Sequence, residues 1–198
     1  AKALRTIQRT TLPSIDPSRR VLGVIRPTVE CIGDLTQSRH IGLLATTGTI
    51  KSESYLLEIQ KLFPDISVVD EACPMWVPLV ENNEYHSKGA DYFVQKHIQQ
   101  LLEKDNQIDT IILGCTHYPL LIEKIKEFTP SHIRIVAQGE YVAQSLQNYF
   151  RRHPEMDNRC TKEGTCRFLT TESETKFEES ASIFLQQEDI HVERIILE

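Results

Sequence analysis

Short continuous apolar runs alternate along this chain with longer segments whose apolar residues recur at helical spacing. The runs RVLGVI (20–25), IGLLAT (41–46), ISVVD (66–70), TIILG (110–114), IRIVA (133–137), CRFLT (166–170) and VERIIL (192–197) predict strands. Val, Ile and Leu without interruption suit strands buried on both faces. Helical spacing predicts helices over 52–63, 87–103, 120–128, 141–152 and 173–186. This alternation predicts an α/β fold whose mostly parallel sheet is covered by helices on both faces. The last two strands leave room for an antiparallel edge, and the polar stretch RRHPEMDNRCTKEGT (151–165) predicts a solvated loop.

In open α/β sheets, ligands bind beyond the carboxyl ends of the strands. Two such ends are rich in polar groups here: LLATTGTIKSESY (43–55) and DTIILGCTHYPLLIEKI (109–125). In the second, the apolar run breaks at Gly114 and presents Cys115, Thr116 and His117 before a helical segment. A thiol at a helix N-terminus is drawn toward thiolate by the dipole, and His117 is placed to exchange a proton with it. Pro119 suits a first helical turn, where its missing N–H forfeits no bond. The competing reading is a packed thiol beside a satisfied, partly buried histidine, since cysteine is among the most often buried residues.

Around Gly48, the hydroxyls of Thr46, Thr47 and Thr49 can bond a carboxylate, and the glycine lets backbone approach a ligand. Equally, the segment reads as a helix start with Ser52 as cap and Glu53 in the first turn. It lacks the spacing of a phosphate-binding P-loop. A third segment, DEACPMWVPLVE (70–81), flanks Trp76 and Val77 with prolines and leads through an apolar turn to Glu81. That carboxylate is either an acid/base helper or an ordinary surface charge. Cys31 and Cys73 read as core or loop thiols, and Cys160 and Cys166 as incidental.

Composition narrows the class. A chain of 198 residues, 40% hydrophobic and 25% charged, holds one sizeable core or two small domains. A net charge of −6, with no basic stripe interleaved with aromatics, argues against nucleic acid as a partner. No apolar run is long enough to span a bilayer, so no membrane partner is expected. The five cysteines are scattered without the paired spacing of a zinc site, so reduced thiols, no metal and a cytoplasmic location are expected. The opening AKALRTIQ has helical propensity but no cap or leader, from which we expect a chain that starts inside a helix.

Taken together, these segments resemble the glutamate racemase family. GCTHYPLL (114–121) matches the family's second catalytic-cysteine motif in full. ATTGTIKSESY (45–55) resembles its Thr-x-Gly-Thr loop, and ACPMWVPLVE (72–81) its Ala-Cys-Pro segment ending in glutamate. VLGVIRP (21–27) is similar to the strand leading into its second domain. The resemblance covers essentially the whole chain in the family's order. The family's Cys-Asn-Thr and Asp-Ser-Gly motifs do not occur in these residues, and AKALRTIQ resembles the helix that follows Cys-Asn-Thr. The resemblance therefore implies a chain that begins just downstream of the first catalytic cysteine. Trp76 stands where the family more often has a smaller apolar residue or Phe.

What the resemblance implies is specific. The architecture would be two similar α/β domains with mostly parallel sheets: a complete central domain at 27–136, and residues 1–26 plus 137–198 as the remnant of a discontinuous first domain missing its N-terminal part. The activity would be cofactor-independent interconversion of L- and D-glutamate, supplying D-glutamate for peptidoglycan, by two thiols acting on opposite faces of the α-carbon without pyridoxal phosphate or metal. Cys115 would be the thiol that takes the proton from L-glutamate, His117 its acid/base partner, and Glu81 a carboxylate that tunes His117. Thr116 and His117 would bind the substrate, with Thr46 and Thr49 as further carboxylate contacts. Glutamate is the implied small-molecule partner, and a homodimer is compatible with the family. A polypeptide with one thiol of the pair is expected not to racemise glutamate by itself. From the residues alone, a Cys-His hydrolase or acyl transferase and a non-catalytic folded fragment stay open, although adjacent i, i+2 placement is poor geometry for a nucleophile and its base.

Overall fold

The computed structural model describes residue 4 and residues 6–197. Of the AKALRTIQ helix expected at the start, residues 1–3 and 5 lie outside the described residues. Leu4 and Thr6 are helical and run into a π-helical turn at Ile7–Thr11 and then α1 (Leu12–Ile15).

The chain divides into two compact units, residues 1–147 and 148–198. The first is built on a four-stranded sheet in the order β2-β1-β3-β4, with β1 (His40–Ala45), β2 (Ser67–Ala72), β3 (Thr110–Leu113) and β4 (Arg134–Ala137). Every pairing is parallel. Burial follows position in the sheet. β3 is buried throughout and β1 nearly so, whereas the edge strands β2 and β4 are mostly half-buried. This is why the two central strands are near-continuous in Ile and Leu while the edges admit Asp70, Glu71 and Arg134.

Alternate residues of the central strands feed two separate cores. Ile41, Leu43, Ala45 and Ile112 pack with Val29 and Ile32 of α2 (Ile25–Leu35), and with Tyr55 and Ile59 of a helix that follows the short α3 (Thr47–Lys51), namely α4 (Ser54–Leu62). On the other face Leu44, Ile111 and Leu113 meet α5 (Trp76–Glu81), α6 (Lys88–Lys104) and α7 (Ile122–Phe128). Helix α6 shows the local logic. Ser87 caps it by accepting the Ala90 N–H at 3.2 Å. Its residues Ala90, Val94, Ile98 and Leu101 recur at helical spacing and bury one stripe.

Two expectations need correction. Residues 20–25 form no strand: the backbone runs irregularly until α2 begins at Ile25. The Val21 carbonyl accepts from the Gln8 side chain at 2.6 Å rather than from a ladder. The buried residues Val29 and Ile32, with Ile25 half-covered beside them, give that region helical periodicity, and Pro27 falls in the first turn where it removes no bond. The second correction concerns the C-terminal strands, which pair in parallel, not antiparallel.

The second unit takes the end of α8 (Gln138–Arg152), the short α9 (Pro154–Asp157) within the stretch expected to be loop, β5 (Phe168–Thr170), α10 (Glu174–Leu185) and β6 (Val192–Arg194). β5 and β6 pair in parallel from Phe168 with Val192 to Thr170 with Arg194. A helical crossover such as α10 is what lets consecutive strands run the same way. No described helix is long and apolar enough to cross a membrane.

Candidate active site

In the order β2-β1-β3-β4 the chain leaves β1 toward one edge and β3 toward the other. The carboxyl ends of β1 and β3 therefore flank a topological switch point, where open α/β sheets bind ligands. Leu44 and Leu113 are in register there, and the Gly114 N–H donates to the Leu44 carbonyl at 2.8 Å. A Cβ on Gly114 would lie 3.0 Å from Ala45 Cβ and from Leu43 Cδ1. A side chain here would need the ends of β1 and β3 to give by a few tenths of an ångström.

Beyond Gly114 stand the three polar residues. Cys115 is half-buried, Thr116 exposed and His117 half-buried. The Cys115 sulfur lies 3.8 Å from His117 Nδ1. On the far side of the imidazole, Nε2 lies 3.3 Å from Glu81 Oε1. Glu81 reaches this point because Pro74 and Pro78 punctuate the chain around Trp76, whose fully buried indole begins α5 and anchors it. Glu81 is then the last residue of that helix, where the dipole disfavours a carboxylate and a neighbouring imidazole offsets the cost. Sequence spacing alone did not bring Glu81 to His117; the packing of α5 does.

Burial pushes the Cys115 thiol above its ordinary range; the backbone N–H groups of His117 and Tyr118 pull it down and the Glu81 charge pushes it up. The net direction is upward. The segment after it is a four-residue 3-10 turn, Tyr118–Leu121 with Pro119 near its start, that leads into α7, so the α-helical N-terminus lies a turn beyond the thiol.

The threonine loop is a helix start, with the cap moved. Thr46 rather than Ser52 caps α3: its hydroxyl accepts the Thr49 N–H at 3.3 Å and lies 3.0 Å from the Thr49 hydroxyl. Ser52 instead follows α3, and Glu53 takes a left-handed conformation at φ 52° before α4. Thr46 and Thr49 thus stand at the end of β1, next to the strand that carries Cys115, both half-buried.

Several residues here were not singled out for the site from sequence. Gln138 follows β4 directly, and its amide donates to the Leu113 carbonyl at 3.0 Å and contacts the Tyr55 hydroxyl. Tyr55 is almost fully buried, and that burial pushes its phenol upward. Gln138 was findable by the rule that led to Cys115, as a polar residue at the carboxyl edge of a strand. Cys73 is fully buried and its N–H donates to the Ala45 carbonyl at 2.9 Å. Among the described residues, no group of three or more His, Cys, Asp or Glu side chains could hold a metal ion.

A parallel sheet with a thiol, imidazole and carboxylate at its switch point is an arrangement for moving protons, and comparison with known proteins agrees in class. The model of the Asp/Glu/Hydantoin racemase family matches residues 18–179. The glutamate racemase of Lactiplantibacillus plantarum is 34% identical over 197 residues, covering 98% of this chain and 71% of that protein. That of Streptococcus agalactiae is 38% identical over 180 residues, covering 89% of this chain and 66% of the relative. The crystal structure of a glutamate racemase isoform from Bacillus anthracis superposes with a TM-score of 0.81 at 30% identity, over 98% of this chain and 72% of that one. The enzyme from Francisella tularensis, solved in complex with D-glutamate, gives a TM-score of 0.81 at 26% identity, over 98% of this chain and 72% of that one. The chain belongs to the glutamate racemase family. It spans about two thirds of the length of these relatives.

Proposed function

We propose that the protein acts as a glutamate racemase, in which Cys115 is one of two thiols that exchange the α-proton of glutamate without cofactor or metal. The observation that carries this is the Cys115–His117–Glu81 row, with sulfur 3.8 Å from one imidazole nitrogen and the carboxylate 3.3 Å from the other. A thiol raised by burial rests protonated near neutral pH and so serves as a proton donor. His117 takes up or returns that proton, and Glu81 steadies the imidazolium. Thr116, exposed beside the thiol, and His117 bind substrate, while Thr46 and Thr49 supply hydroxyls to its carboxylates. A carbanionic centre needs donors fixed in advance, and the backbone N–H groups at the end of β3 are of that kind.

The second thiol belongs to a Cys-Asn-Thr motif that these 198 residues do not contain. A polypeptide of these residues therefore binds glutamate weakly and does not turn it over. On this reading residues 27–136 are the central sheet domain and residues 1–26 with 137–198 fall to a discontinuous partner domain, a division by family likeness that differs from the two compact units, 1–147 and 148–198, seen in the fold. The five free thiols suit the cytoplasm, where D-glutamate is made for peptidoglycan, and a homodimer is compatible with this role. The test is a titration of the 15N-labelled chain with D-glutamate, followed by incubation with either enantiomer in D2O. Amide shifts at Thr116 and His117, without steady conversion, are expected. No shift at tens of millimolar would overturn the site, and steady conversion would overturn the two-thiol requirement.

A further inference from the structure

We propose that Tyr118 is a positioning residue for Cys115: its buried side chain clamps the backbone turn that closes on the thiol-bearing residue. The 3-10 turn Tyr118–Leu121 runs directly into α7 at Ile122, which holds its far end. Its near end, next to the thiol, is held by the Tyr118 side chain.

The side chain is held at both ends. Its ring is fully buried and lies edge-on to Trp76, with centroids 4.7 Å apart at 62°. Its hydroxyl donates to the Cys73 carbonyl at 3.2 Å. Trp76 is itself immobilised, its indole N–H donating to the Phe93 carbonyl at 3.3 Å and its ring edge-on to His97 at 6.3 Å. His97 in turn lies 2.7 Å from a Glu71 oxygen. The clamp therefore ties the loop after β3 to the loop after β2 through buried groups. A phenylalanine would fill the same space. A buried hydroxyl is costly unless bonded, and here its one bond joins the two loops. The backbone consequence falls on the thiol. The Tyr118 N–H donates to the Cys115 carbonyl at 3.3 Å and so closes the turn on the residue that bears the thiol, and the His117 and Tyr118 N–H groups favour the thiolate. Loosening the clamp misaligns these donors and makes the thiolate harder to form.

This inference rests on Cys115 being the proton-transfer group, yet its test needs no glutamate and no second thiol. The rate of Cys115 alkylation by iodoacetamide is measured across pH by peptide mass spectrometry, with exposed Cys160 as internal reference and thermal unfolding in parallel. For Tyr118→Phe the Cys115 midpoint should move up, slowing alkylation about threefold near pH 8, the equivalent of roughly half a pKa unit, while Cys160 is unchanged. Should that variant not fold, Trp76→Phe, which keeps the hydroxyl and frees the ring edge, should shift Cys115 in the same direction. In the unsubstituted chain the Tyr118 amide should exchange with solvent far more slowly than that of Thr116. An unchanged Cys115 profile in a folded variant, or fast exchange at Tyr118, would overturn the proposal and leave the residue a packing role. Absence of glutamate shifts in the unsubstituted chain, with an altered alkylation profile in the variant, would instead count against the racemase reading alone.

Discussion

The imidazole of His117 stands between a thiol and a carboxylate, Nδ1 toward Cys115 at 3.8 Å and Nε2 toward Glu81 at 3.3 Å. The two contacts use opposite ring nitrogens, so a proton gained at one side can be balanced at the other. Cys115 and Glu81 reach the ring from different elements, the end of β3 and the end of α5.

The first expectation concerns the thiol itself. Burial raises Cys115 while Cys160 lies on an exposed loop. Since the anion is the reactive form, Cys115 should be alkylated several-fold more slowly than Cys160 near pH 7.5, with the gap closing as pH rises past roughly 9. Equal rates at neutral pH would mean that the site is more open than the geometry gives.

Neutralising Glu81 acts on the same thiol. The Glu81 charge pushes Cys115 upward, so Glu81→Gln should lower its midpoint and speed alkylation, by no more than about twofold and less at high salt. With the Glu81 side chain 60% exposed, the change in stability should stay within about 0.5 kcal/mol. A slower reaction would reverse the sign of the interaction.

Asp109 contributes to acid stability, alongside Glu71 and Asp105, whose carboxyls are also held below their ordinary range. Burial alone would push its carboxyl up, but the Ser38 N–H, the Thr36 hydroxyl, the Gln37 N–H and the Thr110 hydroxyl hold it at about 2. A pKa lowered in the folded state gives stability present above the unfolded value and lost as pH falls toward about 2. Urea midpoints should therefore be flat above about pH 5 and fall steadily below about pH 4. Asp109→Asn should lose about 2–4 kcal/mol at neutral pH and flatten that acid limb. An unaltered limb would assign the acid transition to other carboxylates.

Gly114→Ala tests the close approach of β1 and β3. A Cβ 3.0 Å from Ala45 Cβ and Leu43 Cδ1 needs its neighbours to give by a few tenths of an ångström. The expected loss is about 1–3 kcal/mol in thermal or urea unfolding, accompanied by a change in Cys115 alkylation. Unchanged stability would show that the strand ends have slack.

Much of this was legible in the sequence because it depends on local composition and order. The strands at 41–46, 66–70, 110–114 and 133–137 and the helix at 87–103 were all placed within a few residues, since burial on both faces demands continuous apolar runs and burial on one face demands helical spacing. Residues 20–25 misled for the same reason: an apolar run at a helix entry has the composition of a strand, and only a missing partner distinguishes them. The motif around Cys115 carried the family likeness through its residue types. The state of its thiol turns on tertiary burial, which outweighs the backbone N–H groups that favour the anion.

By itself the sequence determined the alternation of strand and helix, the polar carboxyl ends of β1 and β3, and a likeness to one racemase family. The tertiary structure alone decided that Tyr118 reaches the Cys73 carbonyl and Gln138 the Leu113 carbonyl, and it gave Glu81 and His117, already linked by resemblance, their 3.3 Å separation. Such contacts join residues far apart in the chain. They depend on strand order and helix packing, which no local pattern encodes.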